Sequence, residues 1–102
     1  MAELKLPEKH LEELKKILAI HVPNEEVWAY GSRVNGAAHD TSDLDLVIRN
    51  PLNLDVSQGL KIIDLKEALS NSNLPLIVGV RDWAILPESF HENIKKNYVV
   101  IK

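Results

Sequence analysis

The sequence predicts one α/β (α+β) domain over residues 1–102, a small mixed β-sheet flanked by helices. Three observations predict it. Residues 7–21 and 55–70 carry apolar residues at helical spacing. Four short runs are rich in β-branched and aromatic residues. The two kinds of segment alternate along 102 residues, close to the usual size of a single domain.

Residues 7–21 open the chain as a helix. Pro7 suits a first turn and Glu8 follows it. Leu11, Leu14, Ile17 and Leu18 share one face, and Pro23 disfavours helix at Val22. Val27–Tyr30 reads as a strand that runs straight into Gly31-Ser32-Arg33. Residues 32–38 can hold a short helix with Ser32 as its N-cap. Leu44–Ile48 is the second strand, broken by Asn50-Pro51. The strand pair, separated by about a dozen residues, can be antiparallel or can cross over through a short helix.

Residues 55–70 form the next helix, with Val56, Leu60, Ile63 and Leu69 near one face and Gly59 weakening it. Asn71-Ser72-Asn73 ends it. Leu76–Val80 is the third strand, extendable to Trp83. Pro87–Lys96 is a helix with Phe90 and Ile94 inward, and Tyr98–Ile101 is a candidate terminal strand.

A chain of this size buries roughly 60–70% of the surface it exposes when unfolded. With 45% hydrophobic residues it is expected to build one core, so a large substrate pocket would need a partner chain. The net charge of −3 and the lack of a basic run argue against a broad nucleic-acid surface, which depends on phosphate neutralisation. No cysteine is present, which excludes disulfides and thiolate metal sites. No apolar run approaches the about 18 residues of a membrane span, and the chain reads as soluble and cytoplasmic.

Chemistry concentrates between Gly31 and Leu46. Glycine lets backbone approach a ligand closely, and the free N–H groups of a helix start attract anions. Gly31-Ser32 is therefore a candidate phosphate site, although the dipeptide alone is as well explained by a capped turn. Asp43 and Asp45, at i and i+2 on a strand, point to the same face while Leu44 and Leu46 face the core. At about 4 Å and an effective dielectric near 20, their repulsion is about 4 kcal/mol. A hard divalent cation would relieve it. Taken alone, the pair also fits an exposed strand with two solvated carboxylates. Together the two halves describe a site for the phosphates of a metal-bound nucleotide. Arg33 is placed with the phosphate site or in solvent. The four histidines, His10, His21, His39 and His91, lack metal-ligand spacing and read as surface residues. Trp28 and Trp83 read as core or interface.

Gly31-Ser32-Arg33, Gly36 and Ser42-Asp43-Leu44-Asp45-Leu46 resemble the signature of the minimal nucleotidyltransferases of the DNA polymerase β-like superfamily. Trp28-Ala29-Tyr30, Asp82-Trp83-Ala84 and Tyr98–Ile101 extend the resemblance over nearly the whole chain. The resemblance implies a polymerase β-like fold and transfer of AMP from ATP to a hydroxyl. It also implies a small all-helical HEPN-type partner in a hetero-oligomer, as in toxin–antitoxin pairs. By it, Gly31, Ser32 and Arg33 bind the nucleotide, and Asp43 and Asp45 are catalytic and hold two Mg²⁺ (or Mn²⁺) ions.

One position departs from that pattern. The family's third carboxylate falls on Gly79, which can neither bind metal nor accept a proton. Asp82 is a substitute only if a bulge near Gly79 turns it onto the same face. The expectations are thus an enzyme with impaired turnover, or a weakened relative that binds nucleotide or scaffolds a partner. A domain with no ligand is the plainest alternative.

Overall fold

The structure is a computed structural model that describes residues 3–35 and 43–102. Gly36, His39 and Ser42 lie outside the described residues. α1 covers Glu8–His21. The Pro7 carbonyl starts it by accepting the His10 and Leu11 N–H groups at 3.0 and 3.1 Å. Leu14 and Leu18 are fully buried, with Leu11 and Ile17 packed beside them, as the spacing predicts. β1 is Glu26–Tyr30, α2 is Ser32–Asn35 and β2 is Leu44–Arg49. α3 is Gly59–Ser70, β3 is Val78–Asp82, and a 3₁₀ turn follows over Trp83–Ile85. α4 is Glu88–Lys96 and β4 is Tyr98–Val100.

The sheet order is β3-β2-β1-β4. β1 pairs antiparallel with both β2 and β4, and β2 pairs parallel with β3 across the α3 crossover. The sheet is therefore mixed, as expected, with β3 at one edge.

Both faces of the sheet are covered, where a single core was expected. On one face, Val27, Ala29, Leu44, Leu46, Ile48 and Val80 pack against Leu14 and Leu18 of α1 and Ile62, Leu65 and Leu69 of α3. On the other, Trp28, Val47, Trp83 and Ile94 form a smaller aromatic cluster with Tyr30, Phe90 and Tyr98 around it. Strand alternation divides the side chains, and the large aromatic rings let few residues build the second layer. Arg49 is buried in that layer. Its guanidinium carbon lies 3.7 Å from the Trp28 ring centre and 4.4 Å from that of Trp83. His91, expected at the surface, stacks on Trp83 at 3.9 Å, and its Nε2 lies 2.7 Å from the Trp83 carbonyl oxygen.

α3 corrects the sequence reading in two ways. It begins at Gly59 rather than 55, and its inner face is Ile62, Leu65 and Leu69. Leu60 and Ile63 are 83% and 63% exposed, and Val56 lies outside the helix. The segment before it is held in turns instead. The Asn50 side chain accepts the Leu52 N–H and the Asn53 side chain accepts the Asp55 N–H. The helix start is then set from afar, because the Asp82 carboxylate accepts the Gln58 N–H at 3.0 Å. Among the described residues no helix is long and apolar enough to cross a membrane.

Candidate active site

Three elements bring the site together on the face that carries the aromatic cluster. Asp45 of β2 stands directly opposite Tyr30 of β1 and Gly79 of β3. Asp43 sits immediately before β2, exposed, two residues from Asp45.

The Asp45 carboxylate is wedged between two glycines. A Cβ on Gly31 would lie 2.6 Å from Asp45 Oδ2, closer than real contacts allow, and one on Gly79 would lie 3.2 Å from Oδ1. Gly31 also has φ +83°, a left-handed conformation that side chains resist. Glycine at position 31 thus serves the turn from β1 into α2 and makes room for Asp45. Its carbonyl accepts the Val34 N–H at 3.0 Å, so Gly31, not Ser32, occupies the N-cap position. Ser32 is the first helical residue, half-buried beside it.

The electrostatics mark a site short of positive charge. Burial raises the Asp45 carboxyl above its usual range, the charge of Asp43 raises it further, and Arg81 partly offsets both. The Tyr30 phenol is likewise raised, first by burial and then by Asp45, with Arg81 working in the opposite direction. Arg81 was not anticipated as a site residue. The signal was there: it lies two residues after Gly79 on the same strand, hence on the same face. Its guanidinium lies 5.5 Å from the Phe90 ring centre, and Phe90 meets Tyr30 edge to face at 6.1 Å.

A cleft of about 250 Å³ opens beside Gly31, lined by Tyr30, Phe90, Asn93, Ile94 and Asn97. Two aromatic rings and two amides suit a planar, hydrogen-bonding ligand.

Arg33 is placed elsewhere. It is 6% exposed, and its Nη1 donates to the Lys5 carbonyl at 2.8 Å, while the Lys5 N–H donates to the Arg33 carbonyl at 2.7 Å. It lines a separate cleft with Leu6, Pro7, His10, Pro75 and Leu76. This geometry ties the N-terminal segment to α2.

Asp82 does not replace the missing carboxylate. The register from Asp45↔Gly79 to Ile48↔Asp82 runs without a bulge, so Asp82 faces away from the site. It is 5% exposed and accepts from the Ser57 hydroxyl, the Gln58 N–H and the Ala84 N–H. Among the described residues no group of three or more metal-ligating side chains exists. Asp43 and Asp45 are the residues that would hold a divalent ion, with water or phosphate needed to complete its ligands.

The chain as a whole is similar to known proteins. Residues 12–102 match the family described as polymerase beta, nucleotidyltransferase. The chain is 46% identical over 101 residues to a probable protein adenylyltransferase, MntA, of Haemophilus influenzae, covering 99% of this chain and 86% of that protein. A crystal structure of a toxin–antitoxin with AMP-PNP superposes with a TM-score of 0.71 at 18% identity, over 90% of this chain and 72% of that one. At that identity the likeness shows the fold.

Proposed function

This chain belongs to the polymerase β-like nucleotidyltransferases, within the minimal branch, and on that premise we propose that it transfers AMP from ATP to a hydroxyl of a partner protein. The observation that carries the proposal is the Asp45 carboxylate, held between Gly31 and Gly79 with Asp43 beside it. Gly31 and Ser32 receive the phosphates at the start of α2, and the cleft under Tyr30 and Phe90 receives the base. Asp43 and Asp45 would hold a divalent ion, Mg²⁺ by preference, which would neutralise phosphate charge and make the α-phosphorus more electrophilic. The acceptor oxygen bonds to that phosphorus, pyrophosphate leaves, and the hydroxyl proton passes to solvent. Arg33 supports α2 from behind through Lys5.

The partner is proposed as a small helical HEPN-type protein. Support comes from the relative named as a protein adenylyltransferase and from the fold shared with a toxin–antitoxin component. Gly79 favours a second reading, a weakened enzyme that binds nucleotide and partner with little turnover. A positioned base contributes about 10²–10⁴-fold. The test is incubation with α-labelled ATP, Mg²⁺ and the HEPN-type protein. Label should reach the partner, vanish in Asp43→Ala/Asp45→Ala, and increase by about 10²-fold or more in Gly79→Asp. No label from either the native chain or Gly79→Asp sinks transfer. A stable complex indifferent to ATP would then leave scaffolding as the function.

A further inference from the structure

We propose that this site works with one divalent cation and that the Arg81 guanidinium supplies the second positive charge. The inference rests on the reading of Asp43, Asp45 and Gly31 as a nucleotide site. It starts from what β3 presents beside Asp45. At position 79 the strand offers no ligand, and the sole nearby carboxylate on that strand, Asp82, is turned away and engaged by three donors. Two carboxylates suffice to anchor one ion. Among the described residues no third carboxylate joins Asp43 and Asp45 to help hold a second ion close to the first.

The same strand face does present a cation. Arg81 lies two residues beyond Gly79, and its charge is felt by both Asp45 and Tyr30. Its planar group leans over Phe90 and beside the Tyr30 phenol, so it is directed before any ligand arrives. Among the described residues no carboxylate forms a contact ion pair with it, and the residue is exposed. An arginine held this way, with a hydrogen bond to the Tyr30 hydroxyl, still has donors left for a phosphate, which a guanidinium can grip through two parallel hydrogen bonds. A triphosphate on Gly31-Ser32 carries more negative charge than one divalent ion cancels. Arg81 is the cation placed to meet the remainder. It acts as a nucleotide-positioning residue that makes Gly79 tolerable.

The probes are Mn²⁺ and the non-hydrolysable α,β-methylene analogue of ATP, read by electron paramagnetic resonance and calorimetry on the full chain. The native chain should bind the analogue with one Mn²⁺ and give an uncoupled spectrum. Gly79→Asp/Arg81→Leu should take up a second Mn²⁺ and show the spin coupling of ions about 4 Å apart. Arg81→Leu alone should weaken analogue binding about tenfold or more with an unchanged melting temperature, and Arg81→Lys should restore part of it. Two coupled Mn²⁺ ions on the native chain, or full affinity in Arg81→Leu, would overturn the inference while leaving the nucleotide site standing. Failure of every variant to bind the analogue would instead refute the nucleotide site, and the inference with it.

Discussion

Asp45 is held where a carboxylate is least comfortable, between two backbones, beside Asp43 and partly out of water. A carboxyl raised by folding stabilises the native state when protonated. That contribution is complete below the unfolded value near pH 3.9 and is lost as pH rises through the higher folded value. At neutral pH, without metal, the ionised group therefore opposes folding. Asp45→Asn should melt higher than the native chain at pH 7 in chelator, and the difference should close towards pH 4. A lower melting point at pH 7 would show that Asp45 is stabilising instead. Gly31→Ala combines left-handed strain of about 1–2 kcal/mol with displacement of Asp45 Oδ2. It should lower the melting temperature and abolish nucleotide binding in calorimetry. Both Asp-x-Asp and Gly-Ser were legible in the sequence because strand alternation and turn chemistry are local rules. The burial of Arg33 was not, because its partner, Lys5, is contributed by a segment 28 residues away.

The start of α3 is decided by an element far along the chain. Asp82 closes the C-terminal end of β3, caps the 3₁₀ turn through Ala84 and holds Ser57 and Gln58 at the head of α3. Asp82→Asn leaves one of those donors facing an amide N–H group, at a cost of about 1–3 kcal/mol. Its melting temperature should fall by several degrees while affinity for Mg-ATP stays near native. A loss of binding as large as that of Asp45→Ala would return Asp82 to the site. This long-range cap also explains the misread helix. Local periodicity allowed two apolar faces, one through Leu60 and Ile63 and one through Ile62, Leu65 and Leu69. Nothing local says where the first turn begins, so the choice belonged to β3 and to the side-chain turns at Asn50 and Asn53. α1 was legible to within a residue because Pro7 and Pro23 punctuate it in the sequence itself.

For the molecule as a whole, the mixed sheet and its helices followed from the order of segments, whereas the second packed face did not. Five aromatic residues spread from Trp28 to Tyr98 reveal their common cluster only once β1 lies between β2 and β4. Of the α3 residues expected on one buried face, Leu69 is buried, whereas Leu60 and Ile63 are open. Leu60→Gln/Ile63→Gln should change stability by less than about 0.5 kcal/mol, as for other exposed positions, in a denaturant titration. A cost of 2 kcal/mol or more would mean that these side chains are covered in the folded chain.

The two-faced sheet has an optical consequence. Both tryptophans of the chain lie on the face that carries Asp45, one stacked on Tyr98 at 4.1 Å and the other on His91. The aliphatic face under α1 and α3 holds neither. Intrinsic fluorescence of this protein therefore watches one side of the sheet and is blind to the other. Emission should respond to events on the side where the nucleotide would sit, and loosening of α1 alone should leave it dark to the observer.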